Sequence, residues 1–143
     1  MPERNTRQIR SLGQQYDACP EAIAWAEREC VDAADIWRKA DPEKLLWIAT
    51  RDGILSDAHL HQFAKWALVH TPPKSESDRE RIAKCLDGSD RLTYPNDMSR
   101  ERWAVLALIG RGQMPGFTRD QVRDVQAKYL RSLVTQPFTT EVR

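Results

Sequence analysis

The chain is 143 residues long, with 41% hydrophobic and 30% charged residues, five Trp and a formal net charge of +1. That is one domain's worth of chain, able to bury roughly 68–70% of the surface its unfolded form exposes. It is too apolar and aromatic for a disordered segment and too charged for a membrane one, and no stretch reaches the ~20 uninterrupted apolar residues of a spanning helix. The opening residues 1–7 lack the apolar core of a signal peptide, so a soluble, cytoplasmic protein is expected.

Helical periodicity runs through nearly the whole chain, and no alternating strand pattern stands out. A polar opening, residues 1–16, holds one short helix between Thr6 and Gly13. Asp17 as a capping acid and Pro20 in the first turn start a helix carrying Ala22, Trp25 and Ala26 to about Cys30. Asp32 starts a short helix with Ala33, Ile36 and Trp37. Asp41-Pro42-Glu43 starts the next, through Leu45-Leu46-Trp47-Ile48 to a stop at Gly53. Four consecutive large apolar residues predict burial on most sides and make this the central helix. Ser56-Asp57 opens a helix whose stripe is Leu60, Phe63, Ala64, Ala67 and Leu68, ended by Pro72-Pro73.

Ser77-Asp78-Arg79-Glu80 has the capping-box pattern, predicting a short helix with Ile82, Cys85 and Leu86 that stops at Gly88. A polar loop over residues 89–96 follows. Ser99 caps a helix through Trp103 to Ile109, which ends in the glycine cluster of residues 110–116. Thr118-Arg119-Asp120-Gln121 is a second capping box, and the last helix presents Val122, Val125, Tyr129, Leu130 and Leu133 before Pro137. The expected architecture is therefore all-α: a compact array of six to seven short helices in helical hairpins. It makes one domain over residues 17–136 with a tail from 137 to 143. A single core holds Trp25, Trp37, Trp47, Phe63, Leu68, Leu106, Ile109, Tyr129 and Leu130.

The small net charge hides an asymmetry. Residues 17–57 carry ten acids against five bases, and residues 100–143 carry eight bases against four acids. Such runs are ordinarily solvated helix faces, and otherwise docking surfaces for a partner of opposite sign. Cys19, Cys30 and Cys85 are odd in number and without Cys-x-x-Cys spacing, which argues against a disulfide framework. Only Cys19, before Pro20 at a helix start, has a context that would activate a thiol.

No reaction is spelled out. His59 and His61 point apart on a helix, and His59 and His70 share a face roughly 16 Å apart, so no metal site is expected. The glycine cluster lacks the Gly-Lys-Ser/Thr and the preceding strand of a phosphate-binding loop, leaving a flexible link, or an anion contact at the last helix's start aided by Arg111 and Arg119. There is no nucleophile elbow, and the acids Asp17, Asp32, Asp41 and Asp57 read as caps. The expectation is a protein with no catalytic site, metal or cofactor. A nucleic-acid surface has one candidate, Arg119, Arg123, Lys128 and Arg131 on the last helix with Arg111 in the preceding loop, although Lys128 and Arg131 lie around from the face shared by Arg119 and Arg123, and Asp120 and Asp124 intervene.

The run Ala18-Cys19-Pro20-Glu21-Ala22-Ile23-Ala24-Trp25, then Ala33-Ala34-Asp35-Ile36-Trp37 and Leu45-Leu46-Trp47-Ile48, resembles small all-helical proteins of phage and bacterial genomes labelled as immunity proteins with an Imm-5-like domain. Leu60-x-x-Phe63-Ala64, Ile82-Ala83-x-Cys85-Leu86-Asp87-Gly88 and Gln126-Ala127-x-x-Leu130-Arg131 resemble the family's later helices. Residues 72–77 depart from its more acidic loop. The resemblance implies an all-α fold and a non-enzymatic protein that binds and occludes a target, as an immunity protein or a phage-encoded inhibitor of a host defence nuclease does. It implies no catalytic residues. For that partner, the candidate surface is the acidic front third, Asp35, Asp41, Glu43, Asp52 and Asp57, placed at the ends of consecutive short helices. The alternative is a nucleic-acid-binding module that uses the basic last helix.

Overall fold

A computed structural model describes residues 5–89, 98–135 and 137–138. Among them are eight α-helices and no strand: α1 (Thr6–Gln15), α2 (Pro20–Glu29), α3 (Ala33–Lys39), α4 (Pro42–Ala49), α5 (Asp57–His70), α6 (Glu76–Asp87), α7 (Arg100–Arg111) and α8 (Arg119–Leu133). The eighth, beyond the expected six or seven, is α1, which runs two residues past the short helix expected between Thr6 and Gly13. Most of the polar loop expected over 89–96, and most of the tail expected over 137–143, lie outside the described residues.

The helix starts follow local chemistry. An orphan backbone N–H at a helix start donates to a side-chain oxygen three residues earlier. Asp32, Ser56 and Ser99 receive the N–H groups of Asp35, His59 and Arg102. Thr118 and Gln121 form the reciprocal capping box expected there. Three starts differ from expectation. The α6 cap is Ser75, which receives the Asp78 N–H, so the helix begins before the Ser77 box. Cys19 occupies the α2 cap without a side-chain bond, whereas Asp17 sits in the preceding turn at φ 60°. Asp57 lies inside the first turn of α5, one residue past its cap. The α4 helix stops at Ala49, before Gly53, and the Thr50 hydroxyl that follows is shared between the Leu46 and Trp47 carbonyls at 3.0 and 2.9 Å. Such back-bonding competes with continuation of the helix.

The chain groups into two compact units, Met1–Asp41 with Thr135–Arg143, and Pro42–Val134. The helices α1, α2 and α3 fall in the first unit, and α4 to α8 in the second.

In the first unit, the Asn5 N–H donates to the Val31 carbonyl at 2.6 Å, and the Gln8 side chain accepts from the Ala33 N–H at 3.1 Å. These bonds hold α1 against the α2–α3 link. Arg10 grips Glu27 with two nitrogens between 2.9 and 3.3 Å. A Cβ on Gly13 would stand 2.5 Å from Ile23, which is why this crossing of α1 and α2 takes a glycine. Ile9, Ala26, Cys30, Ile36 and Trp37 are buried.

In the second unit, α5 packs chiefly on α7, α4 on α8, and α6 on both α5 and α7. Leu45, Leu46, Phe63, Ala64, Ile82, Val105, Leu108, Val122 and Leu130 are buried. Of the residues expected in the core, Leu68, Leu106, Ile109 and Tyr129 are half-buried. Trp47 is a correction: it is 38% exposed, because α4 turns Leu45, Leu46 and Ala49 inward and leaves residue 47 on the other side. A stack of aromatic rings flanks α5: Trp66 lies 4.2 Å from Tyr129 and 4.9 Å from His70, nearly parallel to both.

Candidate functional site: a cation-bearing face on α4

Glu43 and Trp47 are four residues apart on α4 and share its outward side. Both are exposed, Glu43 with 83% of its side chain in solvent. Arg51 follows in the turn beyond α4 and lays its guanidinium over the Trp47 ring, 4.4 Å from the centroid. Its Nε–H donates to the Trp47 carbonyl at 3.0 Å and its Nη2 donates to the Thr50 hydroxyl at 3.2 Å. From the first turn of α7, Arg102 donates its Nε–H to the Thr50 carbonyl. Two guanidiniums therefore converge on one buried threonine at the C-terminal end of α4. Partial burial lowers the Arg51 pKa from its ordinary value, and the positive charge of Arg102 lowers it further. Neither arginine forms an ion pair with a carboxylate among the described residues.

The five expected partner-binding acids divide between the units. Asp35 and Asp41 belong to the first, and Glu43, Asp52 and Asp57 to the second. Asp41, Glu43, Asp52 and Asp57 are exposed. Asp35 is the correction, being 2% exposed and internally committed. Its carboxylate accepts from the Val31 N–H at 3.0 Å, lies 2.9 Å from Lys39 Nζ and pairs with Arg38. Burial pushes its pKa up, but Lys39, the Val31 N–H and Arg38 together outweigh that and hold it below the usual carboxylate value. The spacing gave the signal: Asp35, Arg38 and Lys39 stand at i, i+3 and i+4 on α3.

The basic alternative is likewise redistributed. Arg111 reaches back to Asp78 on α6 at 3.2 Å. Arg123 shares a stripe with Leu130 seven residues on, so it lies on the packed side of α8 with Nη1 3.9 Å from Glu43 and its Nε buried and unbonded. Arg119 and Lys128 are exposed and Arg131 is half-buried.

The glycine cluster has a packing role at Gly112, whose Cβ position lies 2.5 Å from the Leu108 carbonyl, 2.6 Å from the Thr71 carbonyl and 3.0 Å from Gln126 Nε2. The Gln113 N–H donates to the Pro72 carbonyl at 3.0 Å, and Pro73 and Gly112 form an isolated antiparallel bridge. This close approach joins the α5–α6 and α7–α8 links. Beside it Gln126, a residue without a motif to announce it, is fully buried and donates to the Thr71 hydroxyl at 3.0 Å and the Leu108 carbonyl at 3.3 Å. Its position four residues after Val122, on the buried stripe of α8, was the available sign.

Cys19 is exposed, and Cys30 and Cys85 are buried. No three His, Cys, Asp or Glu side chains converge as a metal site among the described residues. No helix among them is long and apolar enough to cross a membrane. No family model, curated protein or solved structure matches the chain.

Proposed function

We propose that the chain is a non-enzymatic protein-interaction module, an immunity-type protein or a phage-encoded inhibitor, for instance of a host defence nuclease, that binds and occludes its target in the cytoplasm. One observation carries the reading: Trp47 is exposed on α4 beneath the Arg51 guanidinium. Trp and Arg are the residue types that concentrate binding energy at interface centres, and a tryptophan held under a cation is already ordered before a partner arrives. Glu43, Asp52 and Asp57 supply exposed negative charge in the same unit, suited to steering a target with a basic surface. The resemblance to the immunity-protein family points the same way. The basic set on the last helix and at the end of α7 supports a nucleic-acid reading less well, because Arg111 and Arg123 already face Asp78 and Glu43.

The test is affinity capture from cells with the tagged full chain and its Trp47→Ala variant side by side. A protein enriched by the parent and lost by the variant is expected. Retention on DNA at about 50 mM salt that vanishes near 200 mM, with no protein lost on Trp47 truncation, would overturn the reading in favour of nucleic acid.

A further inference from the structure

We infer that the Arg51–Arg102 pair at the end of α4 is a carboxylate-binding site, filled by an acidic side chain of a partner protein that is bracketed there by basic residues. The inference rests on the interaction reading and names what that face takes.

The anchoring of the two guanidiniums has a local cause. The last carbonyls of a helix lack intrahelical partners and carry about half an elementary negative charge. One arginine there is a helix terminator. Two bring two positive charges to that half charge, inside a partly buried corner where screening by water is reduced. Arg51 and Arg102 repel each other, and no carboxylate among the described residues compensates them. The excess is about one and a half units, the larger part of which a single carboxylate would neutralise.

The unused donors suit the same ligand. A guanidinium offers five N–H donors in a planar fork that matches a carboxylate. Among the described residues Arg102 uses only its Nε–H, and Arg51 its Nε–H and one Nη2 hydrogen, so Nη1 of Arg51 and both Nη groups of Arg102 have no hydrogen-bond partner there. The Trp47 ring borders Arg51 and gives the methylene stem of an acidic side chain an apolar surface to lie on.

The surroundings favour protein over nucleic acid. Asp52 follows Arg51, Glu101 precedes Arg102, and Glu43 lies one turn of α4 before Trp47. A phosphate backbone carries charge at every nucleotide and would run onto these acids. A single carboxylate flanked by lysines or arginines would instead meet the cationic pair at its centre and the acids at its edges.

The experiment follows the Arg Nε–H and Trp Nε1–H resonances of the 15N-labelled full chain at constant ionic strength. The probes are a blocked Gly-Lys-Glu-Lys-Gly peptide, its Gly-Lys-Gln-Lys-Gly counterpart and an oligothymidylate. The expected result is saturable movement of the Arg51, Arg102 and Trp47 signals with the Glu peptide in the millimolar range. Affinity should be about tenfold weaker for the Gln peptide, and weaker by the same factor for Arg51→Gln with the Glu peptide. Arg51 lies in a turn outside α4, and an unchanged melting temperature certifies the variant; should it melt early, Arg51→Lys, which keeps the charge and loses the fork, must also weaken binding. Equal affinity for the two peptides, an unaffected arginine variant, or tighter saturable binding of oligothymidylate overturns the inference. The two ideas fail separately: a partner captured through Trp47 without any Glu–Gln difference sinks only the carboxylate site. A clear Glu–Gln difference with no Trp47-dependent partner sinks only the interaction reading.

Discussion

Gln126 on α8 donates to the Thr71 hydroxyl at 3.0 Å, and that hydroxyl donates in turn to the Ala67 carbonyl at 3.0 Å, all of it fully buried. The chain of bonds ties α8 to the end of α5 through a side chain whose own Oε1 has no hydrogen-bond partner. Removing one member is therefore not equivalent to removing another. Thr71→Val strips the acceptor from Gln126 Nε2 and should cost about 1–3 kcal/mol, the usual penalty for a buried donor left short. Gln126→Met removes the donor and the unpartnered acceptor together and should cost less. Denaturant titration of the two variants checks the order; a larger loss in Gln126→Met would show that the node does not hold α8 as described.

Gly112 and Gly110 lie two residues apart yet should respond to alanine with opposite signs. At Gly112 the added carbon meets two carbonyl oxygens of the backbone closer than 3 Å, and backbone cannot move aside cheaply. A loss of about 1–3 kcal/mol or more is expected, as for overpacking a filled interior. Gly110 lies inside α7 with nothing within 4 Å of its Cβ position, so alanine there should add about 0.5–1 kcal/mol of stability. Thermal midpoints of the two variants give the comparison directly.

Asp35 should make the protein acid-sensitive. Its folded-state pKa lies below the ordinary carboxylate value, so the unfolded chain takes up the proton first as pH falls. The stabilisation is complete above the unfolded pKa near 3.8 and is lost as pH drops through the lower folded value. Asp35→Asn should lower stability at neutral pH by about 1–3 kcal/mol, since a buried charge-assisted contact is lost while Arg38 and Lys39 remain solvated. It should also flatten the acid limb of the stability curve. An unchanged acid limb in that variant would mean that another carboxylate governs it.

The two tryptophans Trp37 and Trp47 show how far the fold could be read from sequence. Caps and proline starts located most helices, because an oxygen three residues before a free N–H is a local rule. Burial within Leu45-Leu46-Trp47-Ile48 was not legible. Four apolar residues in a row occupy every side of a helix, and which side faces inward depends on α8, a long-range fact. The Ser77 pattern pointed to the right helix but missed its start, which lies at Ser75, whose hydroxyl receives the Asp78 N–H. The acidic face was legible as charge but not as solvent-exposed charge, since Asp35 lies among its own partners. The Arg51–Arg102 meeting joins residues 51 positions apart and left no trace in either local pattern. Trp37→Ala should cost about 3–5 kcal/mol, as for a buried aromatic, and Trp47→Ala clearly less. Equal melting temperatures for the two variants would put Trp47 back in the core.

The steering role of the acids separates from any structural role by kinetics. Asp52 is exposed in the turn after Arg51, and Asp57 is exposed in the first turn of α5, whose cap is Ser56. Since Ser56 satisfies the free N–H group, Asp57 contributes mainly to the helix dipole, about 0.3–1 kcal/mol at low salt. Asp52→Lys with Asp57→Lys should therefore lower the melting temperature only slightly. Against a partner captured through Trp47, the same change reverses four units of charge on the approaching surface. Association should slow and its dependence on salt should flatten, whereas dissociation should change little, because rim charges act on encounter. Stopped-flow or surface-binding kinetics across a salt series measures both rates. Unchanged association beside a lowered melting point would assign these acids to helix stability alone and remove them from the docking face.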